Sequence, residues 1–145
     1  VAIVDWDVHL GNGTDDIFRE DDSVFFVSMH QWPFDPGSGG PQDQADTTLN
    51  VPLGAGCGDD DYERAFDHVV EPAVRAFEPE LVLISAGFDA HAEDPLAGMN
   101  VTEDGFRELA LRSAALAPRC AAVLEGGYNL RTLPRLVTAA LAGLA

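Results

Sequence analysis

The sequence predicts an α/β fold with a mostly parallel sheet. Short apolar segments at 1–5, 23–28, 80–85 and 120–124 have the length and composition of buried strands. Segments whose apolar residues recur at helical spacing lie between or after them. Strands that alternate with helices along a chain are typical of a parallel sheet with helices packed on its faces.

The predicted strands read VAIVD, SVFFVS, ELVLIS and CAAVL in chain order. Each is an almost continuous apolar run, without the regular alternation of a strand that faces water on one side. A polar or glycine-containing segment follows each run, as expected where a strand ends in a turn. We therefore expect strands of a sheet with helices packed on its faces.

Helices are predicted at three places. Residues 60–77 carry apolar residues at helical spacing, with Pro72 as a kink. Residues 103–117 follow Thr102, a residue type that commonly caps a helix N-terminus. The last helix is predicted from about 131 to 144, where the apolar spacing is again helical.

Residues 31–59 are predicted to form a long irregular connection. The segment is rich in Gly, Pro and Asp, which favour turns over regular structure. Long connections in compact domains are often functional, so this segment is a candidate part of a binding site.

The composition excludes several classes of protein. The chain has 145 residues and a net charge of −17, and all its basic residues are arginine, so we expect no nucleic acid binding. No apolar run reaches the ~20 residues of a membrane span, and the chain does not start with a signal-peptide pattern. Cys57 and Cys120 are isolated, which favours a reducing compartment, and we expect a cytoplasmic protein. The acidic charge fits either a generic solvated surface or a cationic substrate.

The end of the first predicted strand carries an unusual set of polar residues. Asp5, Asp7 and His9 occupy alternate positions, so an extended backbone points them to one side. Carboxylates this close repel each other, and burying them unpaired is costly. A bound cation would remove that cost. The alternative is a solvated strand end with unrelated polar residues.

Polar residues also follow the other predicted strands. Ligands of parallel α/β sheets bind at the carboxyl ends of the strands, so these residues are candidates for one common crevice. They are Ser28, Met29 and His30 after the second strand, Asp89 and His91 after the third, and Glu125, Tyr128 and Asn129 after the fourth.

These residue types indicate a particular chemistry. Two aspartates and a histidine form a mixed oxygen and nitrogen ligand set, and three protein ligands with an open position describe a catalytic zinc site. A zinc-activated water is a nucleophile near neutral pH. Tyr128 follows a glycine pair that lets the backbone approach closely, and its hydroxyl is suited to donate a hydrogen bond to a developing oxyanion. Together these features favour hydrolysis of an amide or ester.

Three motifs in this order carry a family resemblance: DWDVHLGNGT, SAGFDAHAEDPLAG and LEGGYNL. The chain resembles the zinc-dependent histone deacetylase and acetylpolyamine amidohydrolase superfamily, in its class II-like, bacterial branch. HQWPFDPGSG and TLNVPLGAG are similar to that family too. The resemblance implies an arginase/deacetylase-type three-layer α/β/α fold, with residues 1–145 forming part of a single catalytic domain.

The resemblance also implies roles for individual residues. Asp7, His9 and Asp89 match zinc ligands, and Tyr128 matches the tyrosine that polarises the acetyl carbonyl. A structural potassium ion would be held by Asp5, Asp7, His9, Ser28 and Met29. The substrate tunnel would be lined by Phe34, Asp35, Leu96 and Gly127.

The activity implied is hydrolysis of an N-acetyl amide, such as acetyl-lysine in a protein or peptide, to an amine and acetate. Leu96 stands where the polyamine-specific branch has a glutamate, which favours acetyl-lysine. Two alternatives stay open at this point. One is an amidohydrolase for acetylated polyamines or other small amides, and the other is a non-catalytic metal-binding relic.

The sequence departs from the family pattern in three respects. The tandem histidines that serve as general base and acid are absent from these residues, so we expect this segment alone to be inactive. Leu10 stands where the family motif usually has a second histidine. Asp35 stands where an aromatic tunnel residue is usual, and Phe34 would substitute for it if the loop shifts by one residue.

Overall fold

The structure, a computed structural model, describes residues 1–145 and contains one parallel sheet of five strands. The strands run in the spatial order β3-β2-β1-β4-β5. Their bounds are Ala2–Asp5 (β1), Phe25–Gln31 (β2), Thr48–Leu53 (β3), Val82–Ala86 (β4) and Cys120–Leu124 (β5). The parallel sheet predicted from the sequence is therefore confirmed, and β2 and β4 each lie slightly further along the chain than their predicted segments.

Helices connect the strands. They are Asn12–Phe18 (α1), Asp59–Ala65 (α2), Glu71–Phe77 (α3), Glu103–Ala114 (α4) and Leu133–Leu144 (α5). A π-helical turn, Phe66–Val70, joins α2 to α3. No helix is both long and apolar enough to cross a membrane.

The interpretation of 31–59 as wholly irregular was wrong, because β3 lies inside it. Its sequence TLNVPL contains Pro52, which lacks an amide proton and argues against a central strand. β3 lies at the edge of the sheet, where a proline costs no hydrogen bond on the free side.

Helix α1 was not predicted from the sequence. Its sequence NGTDDIF has the glycine and acidic residues of a turn. Tertiary contacts support it, since the buried Asp15 accepts hydrogen bonds from Arg19 at 2.6 Å and from Thr48 Oγ1 at 2.7 Å.

The helix predicted over 60–77 is divided by the π-helical turn, and Pro72 lies in the first turn of α3, where a proline fits without a kink. The predicted cap of α4 is confirmed. Thr102 caps α4, and its Oγ1 accepts a hydrogen bond from the Gly105 amide at 3.3 Å. Helix α4 ends at Ala114, three residues earlier than predicted.

The sheet has an apolar core on each face. Ile3 and Phe26 pack with Phe18 of α1 in a small cluster. The larger cluster includes Val4 and residues of α2 through α5, such as Phe106. The result is the three-layer α/β/α arrangement expected from the sequence.

The strand order defines where a ligand site belongs. From β1 the chain builds the sheet in one direction through β2 and β3, and then crosses to the other side of β1 for β4 and β5. Connections therefore leave β1 and β4 in opposite directions, and a crevice opens at their carboxyl ends.

Candidate metal centre and active site

The end of β1 is shaped by its own side chains. In the parallel register Asp5 lies between Ser28 of β2 and Ser85 of β4. The Asp5 carboxylate accepts a hydrogen bond from the Asp7 amide at 2.9 Å, and the Asp7 carboxylate accepts one from the His9 amide at 2.9 Å. Short acidic side chains form such local turns readily. The alternating Asp-x-Asp-x-His sequence therefore fixes the backbone that carries two of the candidate ligands.

The structure brings Asp7, His9 and Asp89 together at this crevice. One potential ligand atom from each residue lies within 4.8 Å of the others. His9 Nδ1 lies 3.0 Å from Asp7 Oδ1 and 3.2 Å from Asp89 Oδ2. The residues come from the ends of β1 and β4, as the strand-end argument predicted.

Asp89 is the most constrained member of this triad. It is fully buried, and its Oδ1 accepts a hydrogen bond from the Val8 amide at 2.8 Å. Its Oδ2 is buried without a hydrogen-bond partner, because His9 Nδ1 approaches closely but without hydrogen-bond geometry. Burial and the neighbouring charge of Asp7 raise the pKa of Asp89 to about 7. An ionised carboxylate in this position needs a positive partner.

Two glycines allow the backbone to contact the triad. A Cβ on Gly87 would overlap Asp7, and a Cβ on Gly126 would overlap the carboxylates of both Asp7 and Asp89. The Gly126 amide donates a hydrogen bond to Asp7 Oδ2 at 2.8 Å. The close backbone approach expected of the glycine pair before Tyr128 is thus present at Gly126.

The triad fits a zinc ion in the chemistry of its donors. Two carboxylate oxygens and one imidazole nitrogen are common zinc ligands, and three protein ligands leave a position for water or substrate. The partnerless Asp89 Oδ2 lies 3.2 Å from His9 Nδ1, close enough for both atoms to hold one ion. Outer hydrogen bonds from Val8 and Gly126 hold the carboxylates, as is usual around metal ligands.

An acidic cleft of about 240 Å³ adjoins the triad. It is lined by Asp5, Asp7, His9, Leu10, Gly11, Gly13, Thr14, Ser85 and Glu125. Burial, followed by the charge of Asp7, raises the pKa of Asp5. Of the other expected potassium ligands, Met29 is buried in β2, and Ser28 is buried with its Oγ 2.9 Å from His30 Nδ1. A potassium ion held by this set stays a prediction.

Tyr128 lies on the loop that follows β5. Its side chain is half exposed, and partial burial together with the charges of Asp89, Asp7 and Asp94 raises its pKa. Gly127 has a φ of 137°, a conformation that a residue with a Cβ adopts only under strain. A Cβ there would also press against Leu133, 2.9 Å from its Cδ1.

Among the expected tunnel residues, Phe34 contacts the triad. Phe34 stacks on the His9 ring, with the ring centroids 5.2 Å apart. Asp35 is exposed, and Leu96 is 54% exposed. The aromatic ring beside the triad is therefore that of Phe34, and its place in a substrate tunnel stays a prediction.

Two site residues were missed by sequence reasoning. Asp94 is buried and accepts a hydrogen bond from the Tyr128 amide at 2.8 Å, and Ser85 flanks Asp5. Asp94 carries a weak signal, since an Asp-Pro pair commonly starts a turn. Ser85 carries no such signal, because it lies inside a predicted buried strand.

The remaining strand-end histidines are engaged elsewhere. His30 is buried, with Nδ1 beside Ser28 Oγ and Nε2 2.9 Å from the Gly39 carbonyl oxygen. His91 is also buried, and its Nδ1 accepts a hydrogen bond from the Glu93 amide. Neither ring joins the Asp7, His9 and Asp89 triad.

Comparison with known proteins identifies relatives of this chain. The sequence profile of the histone deacetylase domain matches residues 1–144. The chain is 48% identical over 143 residues to "Histone deacetylase 10, chloroplastic" of Oryza sativa subsp. japonica, and the aligned region covers 92% of this chain and 32% of that protein. It is 41% identical over 157 residues to a "Probable deacetylase" of Archaeoglobus fulgidus, and the aligned region covers 99% of this chain and 44% of that protein.

A solved structure gives the same result for the fold. The crystal structure of the HDA15 HD domain superimposes with a TM-score of 0.93 at 42% identity, covering 99% of this chain and 43% of that one. This chain therefore spans less than half the length of each of these relatives.

Proposed function

This chain belongs to the histone deacetylase family, and we propose that it forms part of the catalytic domain of a zinc-dependent deacetylase. The proposed reaction is hydrolysis of an N-acetyl amide, with acetyl-lysine in a protein or peptide as the substrate. The observation that carries the proposal is the convergence of Asp7, His9 and Asp89, with a buried Asp89 oxygen that lacks any partner.

In this proposal Asp7, His9 and Asp89 hold zinc. A bound zinc ion supplies Lewis acidity, which polarises a carbonyl group and makes a water molecule more acidic. The carboxylates of Asp7 and Asp89 are kept in place by the Gly126 and Val8 amides. Without those outer contacts the carboxylates would rotate, and the ligand geometry would be lost.

Tyr128 is the proposed catalytic residue. Its hydroxyl would donate a hydrogen bond to the acetyl carbonyl oxygen as negative charge develops there. A tyrosine hydroxyl is protonated at neutral pH and therefore able to donate, and the raised pKa of Tyr128 acts in the same direction. Removing one such donor from an active site commonly costs about 100- to 1000-fold in rate.

Substrate positioning is assigned to the residues around the crevice. Phe34, stacked on His9, and the exposed Leu96 offer apolar surface to the methylene stem of an acetyl-lysine. Gly127 turns the backbone next to Tyr128 with a φ of 137°, a conformation that a residue with a Cβ adopts only under strain. Apolar walls with a few directed polar groups are typical of small-ligand sites.

Apart from His9, a proposed zinc ligand, no histidine of this chain is placed at the triad to act as the general base that accepts the proton of the attacking water. Both His30 and His91 are buried and hydrogen-bonded away from the triad. General acid-base catalysis contributes about 10²- to 10⁴-fold, so we expect the chain by itself to turn over slowly or not at all on an ordinary acetamide.

An acetylpolyamine is the second candidate substrate. The exposed Asp35 lies next to Phe34, and the chain carries a net charge of −17 without a single lysine. Such a surface attracts cations. The exposed apolar side chain of Leu96 favours acetyl-lysine, which is why the peptide substrate stands first.

The test uses an activated substrate to offset the missing base. A trifluoroacetyl-lysine peptide and trifluoroacetyl-spermidine have electron-poor carbonyl groups that are attacked more easily. We expect the zinc-loaded chain to release trifluoroacetate from the peptide faster than from the polyamine, and the chelator-treated chain to release none above background. Release no faster than with zinc in buffer, by a chain that holds zinc, would contradict the proposal and favour a non-catalytic metal-binding relic.

A further inference from the structure

The loop that carries Tyr128 is held by carboxylates on both sides. The Gly126 amide donates to Asp7 Oδ2 at 2.8 Å, and the Tyr128 amide donates to Asp94 Oδ2 at 2.8 Å. These amides flank Gly127, whose φ of 137° turns the chain between them. The loop is therefore fixed at two points on either side of its most unusual residue.

The Asp94 side chain accepts two hydrogen bonds, both from loop amides. Its Oδ1 accepts from the Leu96 amide at 3.0 Å, while its Oδ2 accepts from the Tyr128 amide. The side chain is buried, so these bonds are shielded from water. Hydrogen bonds to a charged acceptor are about twice as strong as bonds between neutral groups. One carboxylate thus connects the proposed substrate wall at Leu96 to the loop of the proposed catalytic tyrosine.

Neighbouring contacts support the same junction but are exposed. The Glu93 carbonyl oxygen accepts from Asn129 Nδ2 at 2.8 Å, and the Glu93 carboxylate pairs with Arg135 at 2.9 Å. Glu93 and Arg135 are both largely exposed, and exposed ion pairs contribute little to stability. The buried Asp94 is therefore the strongest single connection in this junction.

We infer that Asp94 is a positioning residue, which holds the Tyr128 loop against the metal-ligand triad and fixes its distance from Leu96. This inference rests on the proposed function only in assigning Tyr128 to catalysis. The loop contacts themselves do not depend on that assignment. A displacement of about 1 Å in a reacting group can cost about 100-fold in rate, so a positioning residue of this kind has a measurable effect.

The test compares substitutions of adjacent acidic residues. Asp94→Ala removes both acceptors. Asp94→Asn keeps the shape but offers one acceptor oxygen to two amide donors, so at least one hydrogen bond is lost. Glu93→Gln is the matched control, because it removes a neighbouring carboxylate and leaves the Leu96 and Tyr128 amides untouched.

Amide hydrogen exchange, followed by NMR on the whole chain, gives the first readout. We expect exchange of the Tyr128 and Leu96 amides to increase at least about tenfold in Asp94→Ala. In Asp94→Asn at least one of them should increase as much, and in Glu93→Gln both should stay within about twofold of wild type. If Asp94→Ala fails to fold, Asp94→Asn provides the comparison. Unchanged Tyr128 exchange in a folded Asp94→Ala chain would overturn the inference.

The second readout is the response of Tyr128 to zinc. Zinc added alone should shift the ring resonances of Tyr128 in wild type and Glu93→Gln, and shift them by less than about half as much in Asp94→Asn. Tyr62 is the only other tyrosine and is fully buried, so it serves as an internal reference. Equal zinc responses in wild type and Asp94→Asn would mean that Asp94 only stabilises the loop, which contradicts a positioning role.

The third readout separates this inference from the proposed function. With the trifluoroacetyl-lysine peptide, Asp94→Asn should lower kcat about tenfold and leave KM within about twofold. If the wild-type chain is inactive, the proposed function fails, while amide exchange still decides whether Asp94 holds the loop. An active Asp94→Asn chain with wild-type kcat would contradict the positioning role alone.

Discussion

Two of the strands that lead into the candidate site, β1 and β5, differ sharply in their support. β1 has a neighbour on each side, and all four of its residues are buried. β5 pairs with β4 alone, and its residues from Ala121 to Leu124 are exposed. The first region carries Asp7 and His9, and the second leads into Tyr128.

This difference shows how each region keeps its side chains in place. The triad of Asp7, His9 and Asp89 is positioned by paired, buried strands and by the turn hydrogen bonds of Asp5 and Asp7. The Tyr128 loop has less support from its own strand. Its position depends on hydrogen bonds to carboxylates of other segments, namely Asp7 and Asp94. The predictions below test this contrast.

The largest effect is expected where the two regions touch. In Gly126→Ala the new Cβ would overlap the carboxylates of Asp7 and Asp89, so the ligands or the loop must move. We expect zinc affinity, measured by calorimetry against a competing chelator, to fall about 10- to 100-fold. Gly54→Ala is the control, because no atom lies within 4 Å of its Cβ position. Wild-type zinc affinity in Gly126→Ala would show that the contact between the two regions is not tight.

The stability of the zinc-free chain should depend on pH through Asp89. Burial, followed by the charge of Asp7, raises its folded-state pKa to about 7, against about 3.9 when unfolded. The contribution of Asp89 to the free energy of unfolding should therefore be most favourable below pH 4. It should fall as the pH rises towards 7, by about 1.4 kcal/mol per unit of difference between the two pKa values.

The measurement is urea unfolding in chelator at several pH values between 4 and 8, for wild type and Asp89→Asn. The difference between the two curves isolates this carboxyl group from other titrating residues, such as His30. We expect Asp89→Asn to gain stability relative to wild type as the pH rises. Parallel curves would mean that Asp89 is not held in a costly environment.

A matched pair of valines tests the burial contrast directly. Val4 lies in β1 and is fully buried, whereas Val123 lies in β5 and is 57% exposed. Val4→Thr places a hydroxyl in the core and should cost about 1–3 kcal/mol in the free energy of unfolding. Val123→Thr should change it by less than about 0.5 kcal/mol. Similar losses from both substitutions, measured by urea unfolding, would show that β5 is as well covered as β1.

The smallest effect on the fold is expected at Tyr128. Tyr128→Phe removes only the hydroxyl of a half-exposed side chain. The free energy of unfolding should change by less than about 0.5 kcal/mol, with zinc content unchanged. Release of trifluoroacetate should nevertheless fall at least about 100-fold. A large loss of zinc in this variant would place the tyrosine among the metal-binding groups instead.

The sequence predicted those parts of the molecule that depend on local patterns. Continuous apolar runs identified β1, β2, β4 and β5, and the strand-end rule brought Asp7, His9 and Asp89 to one crevice. In β3, Pro52 argued against a strand, and the edge position that tolerates it depends on the whole sheet.

The missing parts of the site depend on distant contacts. Asp94 holds an amide 34 residues further along the chain, and no local pattern reports that contact. Gly126 was noticed as part of a glycine pair, yet the carboxylates it meets come from two other strand ends. Leu10 is buried and lies near Gly39 of the connection between β2 and β3, which is again a contact between distant parts of the chain.

The most direct test of this account is the zinc content of the purified, folded chain by elemental analysis. Asp89→Asn keeps an acceptor for the Val8 amide and removes the ligand charge, and Glu125→Gln removes an exposed carboxylate of the adjacent cleft. We predict about one zinc per chain in wild type and Glu125→Gln, and less than about a tenth of that in Asp89→Asn. Folded wild-type chain without zinc, or Asp89→Asn with as much zinc as wild type, would contradict the metal centre proposed at the ends of β1 and β4.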